Sequence, residues 1–122
     1  MKIILLFVIA TCSLDLFAET LDRKIDSIFK AQIGFVERND YKGFISNGSA
    51  EFKKITLSDF NKVEQQLLGR FKTGHVETFL TTLSQDGYLV YLWKITFKDK
   101  RNDVLAKMII GKDDKILGFW LQ

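Results

Sequence analysis

The sequence predicts an α+β fold, with N-terminal helices packed on one face of a curved four-stranded antiparallel meander. Three observations carry this. Apolar residues recur at helical spacing through the first half of the chain, and the second half holds four apolar runs separated by short turn-forming segments. One of those runs, YLVYLWKITF at residues 88–97, reads as a strand buried along much of both faces, so its neighbours must pack on it.

The totals agree with one domain and one core. The 122 residues are 47% hydrophobic and 27% charged, too short for two ordinary domains. The 11 Phe, 2 Trp and 3 Tyr supply enough bulk that the core needs neither a disulfide nor a metal. Pro is absent, which argues against stiff linkers. The formal net charge is +3, with Lys and Arg scattered among Asp and Glu, so no basic stripe marks a nucleic-acid partner. The densest basic cluster, KDKR at residues 98–101, falls where a solvated hairpin turn is expected.

Residues 1–18 read as a secretory signal. Met1 and Lys2 precede an apolar run over residues 3–10, far shorter than the roughly 20 residues of a spanning helix, and Ala18 offers a small residue for cleavage before Glu19. The expectation is an exported domain over residues 19–122, periplasmic or extracellular, with no transmembrane segment once the signal is removed. Cleavage there also removes the single Cys and with it any thiol chemistry. A lipid anchor at Cys12 is the rival reading, but Thr11 departs from the small residue expected just before a lipidated Cys, so soluble export is favoured.

From residue 19 to about residue 39, apolar positions at Leu21, Ile25, Ile28, Phe29, Ile33 and Val36 define one helical stripe, with Asn39 and Asp40 as its stop. Residues 41–55 loosen into short helical pieces broken at Asn47 and Gly48. Asn47, Gly48 and Ser49 also match a glycosylation acceptor, a pattern common by chance. Ser58 is the expected N-cap of a second amphipathic helix through Phe60, Val63, Leu67 and Leu68 to about Phe71, closed by Gly69 or Gly74.

Residues 75–85, 88–98, 103–112 and 115–122 read as four strands. Asp86-Gly87 is the strongest hairpin signal, and short connections make neighbours antiparallel. Counting outward from each turn sorts the side chains onto two faces. An inner face collects Val76, Thr78, Leu80 and Thr82 with Tyr91, Trp93, Ile95 and Phe97, then Val104, Ala106, Met108 and Ile110, and finally Leu117, Phe119 and Leu121. The helices should pack there. The outer face includes Glu77, Thr81 and Ile116 but is half apolar, through Phe79, Leu83, Val90, Leu92, Leu105, Ile109 and Trp120. Such a patch is larger than a monomer comfortably exposes, and the expectation is a homodimer packed sheet to sheet.

Element order, Gly74 before the first long strand and the closing run GKDDKILGFWLQ at residues 111–122 together resemble the nuclear transport factor 2-like superfamily of cystatin-like α+β folds, in its small exported bacterial members. The resemblance implies a cone with a pocket between helices and sheet, frequent dimerisation, and functions from small-molecule binding to isomerisation and dehydration. Tyr91, Trp93, Thr78, Met108 and Tyr41 are the residues expected at a small apolar ligand.

Catalytic chemistry is not legible. Thr78, Thr82 and Tyr91 on the expected inner face are poor bases near neutral pH, and no catalytic residue is assigned. His75 is the only histidine, which excludes a His-pair zinc site, and no metal or cofactor is expected. The function expected is therefore a non-enzymatic binding or interaction module, with an isomerase or dehydratase as the alternative and a secreted inhibitor as a third class. A titratable carboxylate or His75 facing a solvent-connected pocket would favour the enzyme. An apolar, Thr-lined or closed interior would favour the binding module.

Overall fold

Asp86 and Gly87 both take positive φ, 52° and 81°, and make the tight turn that this dipeptide prefers. The hairpin built on it anchors the sheet. In the computed structural model, which describes residues 21–122, strand β1 (His75–Gln85) pairs antiparallel with β2 (Tyr88–Phe97). Strand β3 (Val104–Ile110) pairs with β2, and β4 (Ile116–Leu121) with β3, giving the sheet order β1-β2-β3-β4. The signal segment, its cleavage point and Cys12 lie outside the described residues. Helices α1 (Arg23–Glu37), α2 (Tyr41–Ser46) and α3 (Leu57–Lys72), with a 3-10 turn at Phe52–Lys54, precede the strands and cover one face of the sheet. The protein is α+β, as the sequence predicts.

Capping residues set where each helix begins. The Asp22 side chain accepts from the Lys24 N–H at 2.8 Å to start α1, and Asn39, in left-handed conformation at φ 56°, follows its end. Asp40 accepts from the Gly43 N–H at 2.9 Å and starts α2. Helix α3 is capped by Thr56, which accepts from the Asp59 N–H at 3.1 Å, and not by Ser58. The cap therefore sits two residues earlier than expected. Gly74, at φ 104°, closes α3, and Gly69 lies inside it.

Helix α1 buries Ile25, Phe29, Ile33 and Val36 against Trp93, Ala106 and Met108 of the sheet. Phe29 and Trp93 stack with centroids 3.8 Å apart and planes 2° from parallel. Gln32 is also buried, and its Nε2 donates to the Phe44 carbonyl at 2.9 Å, which joins α1 to α2 without leaving an unpaired amide. At the far end of α3, Arg70 donates to both carboxylate oxygens of Asp99, at 2.9 and 3.3 Å, and lies over the Phe97 ring at 4.2 Å. These bonds, with one from the Arg101 backbone N–H, hold the Asp99 carboxyl below the usual carboxylate range.

The register departs from simple counting at two places. Pairing from the Asp86-Gly87 turn runs regularly to Thr81↔Leu92, then shifts so that Phe79 faces Trp93 and Leu80 is left over. A one-residue slip exchanges the faces of everything beyond it. Glu77 and Phe79 are thus on the helix side, and Val76 and Leu80 are exposed on the other. The second shift lies between Ile109↔Gly118 and Ile110↔Ile116, which leaves Leu117 unpaired and buries Ile116. Residues 47–49 hold this bulge: the Ile116 N–H donates to the Asn47 carbonyl and the Ser49 N–H to the Ile116 carbonyl, both at 2.9 Å. Asn47, the residue of the acceptor pattern, is half-buried, and its Nδ2 donates to the Asp114 carbonyl at 3.4 Å.

Phe29 is completely buried. Phe29→Ala is expected to lower unfolding free energy by about 3–5 kcal/mol in urea titration, through lost burial and the cavity left against Trp93.

Candidate functional site

The residues expected at a ligand do not converge. Trp93 and Met108 are fully buried core side chains, the first occupied by its stack with Phe29. Thr78 is exposed, pairing with Lys94 beyond the β1 bulge. The Tyr41 hydroxyl donates to the Ile55 carbonyl at 2.5 Å and its ring packs 5.7 Å from Phe60. Tyr91 lines a separate hollow together with Asp22 and Ile25, and burial, followed by the Asp22 charge, raises its pKa.

Of the residues expected on the outer face, Leu83 and Trp120 are exposed, Leu92, Leu105 and Ile109 half-buried and Val90 buried. Phe79 is on the opposite face, edge-on to Trp93 at 5.5 Å. His75 sits between two carboxylates, with Nδ1 3.0 Å from Glu77 Oε1 and Nε2 3.6 Å from Glu37 Oε1. The shorter approach does not align as a hydrogen bond. His75 lines none of the cavities described here.

What the fold does assemble is a cavity of about 250 Å³ between α1, α2, α3 and β4. Its wall is mostly apolar: Val36 from α1, Phe44 from α2, Phe60 and Val63 from α3, and Phe119 and Leu121 from β4. The wall is also tied together by rings, because Phe44 lies 5.1 Å from Phe60 and 5.6 Å, edge-on, from Phe119. Trp120 also borders it, but its indole lies on the other face of β4 from Phe119 and Leu121. That indole covers Gly118, where any added Cβ would collide with it, and carries the Lys107 ammonium 4.9 Å from its ring.

Two acidic residues complete the lining, Asp59 and Glu64, both on α3. Asp59 is exposed. Glu64 is only 3% exposed, and neither carboxyl oxygen has a hydrogen-bond partner among the described residues. Burial alone raises its pKa, because nothing near it stabilises the charged form. An unpaired carboxyl so placed is costly and is a recognised mark of a functional position. Reading α3 by its apolar residues puts Val63 inward, but Val63 is 39% exposed and the buried stripe runs Phe60, Glu64, Leu67, Phe71. The signal was a glutamate four residues after Phe60 and three before Leu67, within a stripe that is otherwise apolar.

Chemically, this cavity can hold a small apolar body and offer it one carboxyl. Apart from the Glu64 acid O–H when it is protonated, the helix-side lining supplies no side-chain donor, so no pair of donors stands ready to stabilise an oxyanion. Among the described residues no group of acidic, His and Cys side chains could hold a metal ion, and no helix is long and apolar enough to cross a membrane. Comparison with protein-family models, curated proteins and solved structures finds no match to this chain.

Glu64→Leu is expected to stabilise the protein by about 1–3 kcal/mol near neutral pH, since it removes an unsatisfied buried group. The sign of the pH dependence follows from the raised pKa. The folded state tolerates the protonated acid, so wild-type stability is greatest below the unfolded-state pKa and falls as pH rises through the folded value. Urea midpoints of wild type and variant should therefore diverge with increasing pH. Parallel curves would contradict this.

Proposed function

We propose that this chain is an exported binding module that takes up a small, largely apolar molecule in the cavity between its helices and β4. The observation that carries the reading is the cavity itself: aromatic and aliphatic walls around a single buried, unpartnered carboxyl at Glu64. Its volume of about 250 Å³ falls just below the roughly 300–1,000 Å³ of drug-sized ligand sites, which suits a smaller molecule. Helices preceding a four-stranded meander, with a cavity between the two layers, support the resemblance to the nuclear transport factor 2-like superfamily.

Methyl NMR tests the binding reading. On addition of toluene or phenethyl alcohol, the methyl signals of Val36, Ile55 and Leu121 are expected to shift saturably, and Val63→Trp, which adds bulk at the rim of the cavity, should weaken the response. Shifts confined to Ile109 and Leu117, beside the other sheet face, would place binding elsewhere and overturn it.

Export is supported by the leader-like pattern of residues 1–18. Mass spectrometry of protein recovered outside the cytoplasm of the producing cell should give a chain beginning at Glu19. An acylated chain beginning at Cys12 would mean a lipid anchor instead.

One observation favours a second reading, a small-molecule isomerase or dehydratase. Glu64, with its raised pKa, is placed as a general base would be. The shortage of donors in the lining makes binding the stronger reading.

A further inference from the structure

The chemistry of the lining is one-sided. Its two ionisable side chains, Asp59 and Glu64, are both acids, and neither Lys, Arg nor His contributes to it. The nearest cation on β3 and β4, Lys107, is engaged over Trp120 and is not part of the lining. Helices α1 and α2 contribute Val36 and Phe44, and the segment before α3 contributes Ile55, so Asp59 is the only other charged group in the wall. The cavity therefore has acceptors to offer, no positive charge to receive an anion, and three aromatic rings on its helix-side walls, Phe44, Phe60 and Phe119, whose faces attract cations.

We propose, resting on the binding reading above, that the cavity selects a small organic amine, its ammonium received by Glu64 and its apolar body by the aromatic wall. Both carboxyl oxygens lack donors, and a primary or secondary ammonium supplies two or more N–H groups to them. A carboxylate or phosphate ligand would face an acid and no counter-charge. A neutral alcohol would satisfy Glu64 with one bond and leave the aromatic faces without a cation.

Proton accounting follows. Burial disfavours the Glu64 carboxylate, whereas the pair with an ammonium needs it, so binding lowers the Glu64 pKa and any proton held there passes to solvent. Amine affinity should rise with pH through the Glu64 titration, until the amine itself loses its proton.

Isothermal titration of the full chain with phenethylamine and phenethyl alcohol, two ligands of equal shape, tests the proposal. Phenethylamine is expected to bind about tenfold or more tightly than the alcohol at neutral pH, a charge-assisted bond against a neutral one. That preference should disappear in Glu64→Gln, which keeps the shape of the side chain, and should survive in Asp59→Asn, where the exposed acid is neutralised. Alcohol binding as tightly as amine in the wild type would overturn the amine inference while leaving the cavity reading intact. Amine preference persisting in Glu64→Gln would likewise overturn it. If neither ligand binds or shifts the cavity methyls, the binding reading falls with it.

Discussion

The stack of Phe29 on Trp93 is the contact on which the rest of this structure depends. Aromatic pairs generally prefer offset or edge-on geometry, and a near-parallel pair 3.8 Å apart is held by the burial of both rings more than by their mutual electrostatics. It fixes where α1 crosses the sheet. From there the constraint passes through Gln32 to the Phe44 carbonyl, and through the Phe44 ring to Phe60 and Phe119. The walls of the cavity are thus the end of a chain of contacts that begins in the middle of the core. A rigid body of this kind can hold open a hollow that isolated helices would collapse.

Within that frame Glu64 is the element that local rules do not justify. The other fully buried polar side chain among the described residues is satisfied, since Gln32 donates to the Phe44 carbonyl. Natural folds tend to break local consistency where function requires it, and the surrounding order tolerates the cost. Arg70 and Asp99 show the contrasting solution, a charged pair that satisfies both partners and at the same time seats the β2–β3 turn against the end of α3.

Much of the architecture was legible because strong local signals agreed with the global arrangement. Asp86-Gly87 can hardly be anything but a tight turn, and the bounds of β1 follow from it. The alternation along β2 and β3 places Trp93, Ile95, Ala106 and Met108 correctly. Side-chain placement failed where one residue changed the phase. Bulges at Leu80 and Leu117 leave no mark in a run of apolar and Thr residues, yet they reverse the faces of Phe79 and Ile116. On α3 the choice between Val63 and Glu64 as the inward residue is a rotation of one position, and hydrophobicity alone chooses the wrong one. The candidate site was missed for that reason, since its defining residue is polar and occupies an apolar position.

The bulge at Leu80 has a further effect on β1, which is an edge of the sheet and, at 11 residues, its longest strand. An unbroken edge of that length, carrying exposed Val76, Leu80 and Leu83, would present a straight row of free amide and carbonyl groups to any passing strand. The extra residue twists the edge and divides it into two runs of about five residues, close to the ordinary length of a strand. The irregularity that defeats counting by register thus also guards the chain against edge-to-edge aggregation.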